Sequence, residues 1–223
     1  MLTVHHLNNS RSQRVLWLLE ELGLEYEIVP YRRDPKTLAA PASLRAVHPL
    51  GRAPIVADGD RTLAESGAIV ETLVERYGLG RLAPPAGTPE RERYTYWMHY
   101  AEGSVMPAVV LRLIFDSLPK QPMPALARPV VRQLAKAVVE SFVQPQIRLH
   151  FEYMARELEK TTWFAGAEFT AADIQMSFPI EAMASAAQAH PRLRSYLERI
   201  RERPAYRRAV ARGGPYDPES LNR

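Results

Sequence analysis

The chain has 223 residues, 46% of them hydrophobic, with a formal net charge of +4. That length supports one large or two small cores, and bases interspersed with acids read as solvated helix faces rather than a nucleic-acid stripe. With no cysteine, disulfides, protein thiolates and Cys-based metal sites are excluded, so any sulfur chemistry must use a sulfur that a ligand brings.

Residues 2–7 read as a strand. Val15, Leu16, Leu18, Leu19 and Leu22 then recur at helical spacing, and Gly23 supplies a stop. Residues 25–31 give a second strand, so the opening unit is strand–helix–strand, which favours a parallel pair. Residues 32–47 read as loop with a short irregular helix. After Gly51-Arg52-Ala53-Pro54-Ile55-Val56 come a tight turn at Asp58-Gly59-Asp60, a short strand and a helix over Ser66–Tyr77. Residues 80–89 hold two Gly and three Pro and form a linker. From residue 90 the pattern is helical throughout, with Tyr94, Trp97, Met98, Ala101, Val105 and Val109 on one face and Pro107 as a kink. Four prolines mark a turn over 118–129, and a long helix with a kink at Pro145 runs toward Lys160. Thr170 and Asp173 have capping-box spacing, a structural role, and Pro191 and Pro204 fit first helical positions. The expected domains are 1–79 and 90–223. No apolar run reaches bilayer-spanning length and no secretory pattern opens the chain, so a soluble, cytoplasmic protein without membrane partners is expected.

Glu65-Ser66 opens the helix after the hairpin. A carboxylate and a hydroxyl beside free helix amides can hold a zwitterionic amino acid: Glu65 would face its ammonium, while Ser66 and backbone N–H groups would face its carboxylate. Ser66 as an ordinary N-cap is the competing reading. His5 and His6 are adjacent in a strand and point to opposite faces, so they cannot share a metal site, and none is expected.

Four segments in this order and spacing resemble the glutathione S-transferases over nearly the whole chain: Ser10-Arg11-Ser12-Gln13-Arg14, His48-Pro49-Leu50-Gly51-Arg52-Ala53-Pro54, Glu65-Ser66-Gly67-Ala68-Ile69 and Phe169-Thr170-Ala171-Ala172-Asp173. Asn-Ser-Arg-Ser after the first strand is similar to a bacterial or fungal serine-type subgroup. The resemblance implies a thioredoxin-like α/β domain followed by an all-helical domain, with a cleft between them. It also implies a homodimer and a detoxifying transferase that uses glutathione as co-substrate and needs no other cofactor. In that chemistry the glutathione thiolate attacks an apolar electrophile. A free thiol of pKa about 8.5 must then be lowered, and two units correspond to roughly 2.7 kcal/mol of thiolate stabilisation.

Carried onto this chain, the resemblance makes Ser10 the thiolate donor, four residues before Arg14; Ser10 as a helix cap is the alternative, with Asn9 and Ser12 as substitutes. The first strand holds no tyrosine, so a tyrosine donor is not expected. The Ala53–Pro54 bond is expected to be cis, with the Ala53 backbone pairing with the cysteine of glutathione. Arg52 would meet the glycine carboxylate or remain a loop arginine. Glu102 would contact the ligand or lie exposed, and Tyr96, Tyr100, Met106 and Phe115 would line the electrophile pocket or belong to the core. Glutathione-dependent peroxidase, isomerase or dehalogenase activity, or a non-catalytic scaffold, are the rival functions; reduction through a protein thiol is excluded by the missing cysteines.

Overall fold

Alternating burial builds the first strand, β1 (Leu2–Leu7), in which Leu2, Val4 and His6 are buried and Thr3 and His5 are half-buried. This computed structural model describes residues 1–34, 37 and 39–216. Residues 35, 36 and 38 of the expected loop and residues 217–223 of the helical domain lie outside it. Helix α1 (Ser12–Leu22) packs on β1 with Val15, Leu16, Leu18 and Leu19 fully buried. Gly23 ends it in the left-handed conformation, φ 70°, where glycine carries no Cβ penalty.

β2 (Tyr26–Tyr31) pairs parallel with β1. A 3₁₀ turn over Ala42–Ala46 precedes the hairpin of β3 (Ile55–Asp58) and β4 (Arg61–Ala64), and β3 pairs antiparallel with β1. The sheet order is β2-β1-β3-β4. Helix α2 (Ser66–Tyr77) packs against α1 and β4. This four-stranded mixed sheet with its helices is the thioredoxin-like part of the molecule.

The second part is helical. α3 (Pro89–Tyr100) buries Tyr94, Trp97 and Met98, and Thr88 caps it by accepting the Arg91 N–H. α4 (Met106–Ser117) follows without a break, because Ala101–Val105 form a wide π turn in which the Met106 N–H reaches back to the Ala101 carbonyl. Pro107 has no N–H to give to the preceding turn, and the extra residue absorbs that loss. The same device recurs where α5 (Arg128–Val138) runs through a π turn at Val139–Val143 into α6 (Gln144–Lys160), ahead of Pro145. Both expected kinks are therefore widened turns within continuous helices.

α7 (Ala171–Ala182) is buried from Ala171 to Ile180 and touches α1, α2 and α3, so it locks the two parts together. Its N-terminus is fixed by Asp173, whose buried carboxylate accepts the Phe164 N–H (2.9 Å), the Thr170 N–H (2.9 Å) and the Thr170 hydroxyl (3.1 Å). Burial pushes this carboxyl up to about 6 against the pull of those three donors. α8 (Ala184–Gln188), α9 (Pro191–Glu202) and α10 (Pro204–Gly213) complete the chain. α10 returns to lie along α1, where Arg208 and Arg212 pair with Glu20 and Arg203 pairs with Glu21. A Cβ on Gly213 would sit 2.3 Å from Leu16 Cδ1, so only glycine permits this approach. Among the described residues, no helix is long and apolar enough to cross a membrane.

Candidate active site

A cleft of about 220 Å³ opens where the first domain meets the helical one. The loop after the 3₁₀ turn contributes His48, Leu50, Arg52, Ala53 and Pro54, the junction of β4 and α2 contributes Ala64, Glu65 and Ser66, and Arg11 and Glu102 complete the lining. The Ala53–Pro54 bond is cis.

The geometry at Glu65 separates the two readings of its neighbour. Glu65, not Ser66, is the N-cap position, and no side chain caps this helix. Glu65 adopts φ 69°, a conformation uncommon outside glycine, which turns the chain sharply from strand into helix. Its carbonyl accepts the Ile69 N–H at 2.9 Å. The amides of the first turn therefore remain without helical partners, at the positive end of the helix dipole. Ser66, only 4% exposed, starts this helix and lines the cleft. A carboxylate, a hydroxyl and open amides thus converge on one small volume.

Across the cleft, the π turn presents Glu102 to two arginines of the first domain. Arg11 Nε donates to both carboxylate oxygens, at 2.9 and 3.0 Å, and Arg14 Nη1 donates to Oε1 at 2.6 Å. The Arg14 side chain is 1% exposed, and its guanidinium lies over the Phe178 ring at 4.6 Å. Burial alone would push the Glu102 carboxyl up; Arg14 and Arg11 outweigh it and hold it below its ordinary value.

Comparison with known proteins fits this arrangement. Family models described as the glutathione S-transferase N-terminal and C-terminal domains match residues 1–75 and 126–207. Glutathione S-transferase 3 of Schizosaccharomyces pombe is 36% identical over 213 residues, covering 94% of this chain and 87% of the relative. The chain belongs to the glutathione S-transferase family. Glutathione S-transferase 1 of Saccharomyces cerevisiae is 30% identical over 92% of each chain. The crystal structure of a glutathione S-transferase from Actinobacillus pleuropneumoniae superposes with a TM-score of 0.80 at 33% identity, covering 100% of this chain and 99% of that one. Relatives at this identity over this length carry the glutathione transferase function to the chain.

Within this transferase, the cleft brings together Arg52, Ala53, Pro54, Glu65, Ser66 and Glu102. It does not bring in Ser10. The expected donor is 5% exposed, and its Oγ lies 2.7 Å from Ser12 Oγ while accepting the Ser12 N–H at 3.2 Å. The substitutes fare no better as cleft residues. Ser12 is fully buried and contacts His6 Nδ1 at 2.8 Å, and Asn9 sits in a left-handed turn, φ 48°. Ser10 faces inward, with its oxygen engaged by the hydroxyl and N–H of Ser12.

The residues proposed for the electrophile pocket also scatter. Tyr96 and Tyr100 stack on one another at 5.3 Å, Tyr100 bonds His150 Nδ1 at 2.6 Å, and Met106 is core. Phe115 lines a separate groove between α4 and α5. A cavity of about 750 Å³ is bordered instead by Leu113, Met183, Tyr206 and Tyr216, with Glu181 at its wall. Tyr216 stacks on Phe178 at 4.4 Å, the ring that also underlies Arg11 and Arg14. Arg11, His48 and Leu50 were missed as cleft residues. The sequence does place Arg11 between the two serines singled out as donors, but a serine-centred reading passes over it.

Proposed function

We propose that the cleft holds glutathione with its γ-glutamyl end at Glu65 and Ser66 and its thiol toward the α1 side. The observation that carries this reading is the convergence of the Glu65 carboxylate, the Ser66 hydroxyl and the open first-turn amides of α2 beside Ala53. The carboxylate matches the ligand's ammonium, and the hydroxyl and amides match its α-carboxylate. The Ala53 backbone offers strand-like pairing to the central cysteine, and Arg52 offers a cation for the glycine carboxylate.

In the reaction, the bound thiolate forms a carbon–sulfur bond with an electrophilic carbon, which expels its leaving group or passes charge to an acceptor. The 750 Å³ cavity beside Tyr216 is the place for that electrophile, because Tyr216 packs on Phe178 at 4.4 Å and Arg11 lies over that same ring at 5.6 Å. The reading keeps a homodimer and a cytoplasmic location. The test is calorimetric titration with glutathione. Glu65→Ala should bind about 10- to 100-fold more weakly, the worth of a charge-assisted hydrogen bond, at unchanged thermal stability. Undiminished affinity would remove the γ-glutamyl assignment.

A further inference from the structure

We propose that Arg11, rather than Ser10, is the group that meets the glutathione thiolate, with Glu102 as its positioning residue. The inference rests on the glutathione reading of the cleft. It begins with a count of protons. His6 Nε2 lies 2.9 Å from the Gly213 carbonyl, which can only accept, so Nε2 carries the proton. Burial holds the His6 ring below its ordinary value, outweighing the bond to Gly213, and the ring is neutral near pH 7. Nδ1 is then bare and can only accept. Its partner, Ser12 Oγ at 2.8 Å, has two acceptors for its one proton, this nitrogen and the Leu7 carbonyl at 3.2 Å.

The consequence passes along the chain of hydroxyls. Ser12 Oγ already accepts the Leu7 N–H, and Ser10 Oγ is 2.7 Å away. Since Ser12's proton goes to His6 or to the Leu7 carbonyl, Ser10 is the donor in that contact. A thiolate can only accept. A buried hydroxyl whose sole proton points at Ser12 has nothing to offer it.

Arg11 has what Ser10 lacks. Its side chain is 34% exposed and lines the cleft with Glu65 and Ser66. Both of its bonds to Glu102 use Nε, so among the described residues its two terminal nitrogens carry no hydrogen bond. Glu102 also serves Arg14, which is sealed from solvent. One carboxylate thus faces two guanidiniums and leaves a surplus positive charge, and Arg11 is the member that presents it to the cleft. Because Glu102 grips the Nε edge, the guanidinium plane is fixed and its outer fork is free for an anion.

The test is a titration of thiolate ultraviolet absorbance for glutathione bound to the full chain, in wild type, Arg11→Gln, Arg11→Lys and Ser10→Ala. The expected result is a bound thiol well below the free value in wild type. Arg11→Gln should move it up by about one unit or more, a tenfold loss of thiolate near neutral pH, with kcat falling in step and glutathione affinity changing less. Arg11→Lys should recover part of the shift, and it keeps the test open if the glutamine variant folds poorly. Ser10→Ala should leave the bound thiol where it is. An unmoved value in Arg11→Gln, or a raised one in Ser10→Ala, would overturn the assignment. A wild-type protein that binds glutathione with an unshifted thiol would overturn it too, while leaving the binding site intact. No binding at all would instead sink the glutathione reading of the cleft.

Discussion

Replacing Glu102 with alanine should destabilise the fold more than any other single change at the cleft. Arg14 is 1% exposed, and among the described residues its only ion-pair acceptor is Glu102 Oε1, while its Nε and Nη2 have no hydrogen-bond partner. Without the carboxylate, a buried guanidinium loses its ion pair and keeps the Phe178 face at 4.6 Å. Breaking a buried pair by removing one partner costs about 3–5 kcal/mol, and Glu102's own 31% exposure places this case at the low end. A loss of about 3 kcal/mol in a chain of this size lowers Tm by roughly 6–12 °C. The assay is thermal unfolding of Glu102→Ala, Arg14→Met and the double variant. The double variant should be more stable than Glu102→Ala, since the orphaned charge is gone. The pair also has a pH signature. The folded Glu102 value lies below its ordinary 4.5, so its stabilisation is complete above pH 4.5 and is lost as pH falls through the lower folded value. Glu102→Ala should lack that acid-dependent loss. A Tm drop worth less than about 1 kcal/mol, the scale of an exposed pair, or no coupling in the cycle, would refute the reasoning.

Two other outcomes follow from groups away from the cleft. Asp173→Ala removes the acceptor for three donors at the start of α7 and should cost about 3 kcal/mol, with glutathione affinity unaffected in the fraction that remains folded; thermal unfolding with calorimetry checks both halves. Burial lowers His5, His6 and His150 below 6.5, so the unfolded chain takes up protons first and stability should fall as pH drops below about 6.5. His6→Gln should flatten part of that slope in denaturant midpoints measured between pH 7 and 5, and an unchanged slope would assign it to the other two.

Most of the architecture could be read from residue patterns because the governing forces are local. Val15 to Leu22 set a helical stripe, Asp58-Gly59 a hairpin and Thr170 with Asp173 a helix start, and each appears where its chemistry requires. That Glu65 and Ser66 share the cleft with the α2 amides was readable for the same reason, since they are neighbours in sequence. The surroundings of Ser10 were not. Whether Ser10 faces ligand or interior depends on His6, Ser12 and the Gly213 carbonyl, a partner more than two hundred residues away. Glu102 appeared as a lone acid on a helix, and its meaning changes once the domain boundary sets it against Arg11 and Arg14. Aromatic spacing around Tyr96 and Tyr100 likewise could not say that those rings stack on one another rather than line a pocket.

The contact between His6 and Gly213 ties order of synthesis to the final hydrogen bonding of the first loop. Nascent domains tend to organise from the N-terminus while the remainder is still being made, and here β1 and the serine turn are complete within the first dozen residues. The carbonyl that fixes the imidazole tautomer, and with it the acceptor offered to Ser12, belongs to the last turn of α10. A chain stalled or cleaved before that helix can possess its sheet, its hairpin and the Glu65–Ser66 junction. It still lacks the carbonyl that fixes the imidazole tautomer. The earliest loop to be made is therefore among the last to acquire its final hydrogen bonds.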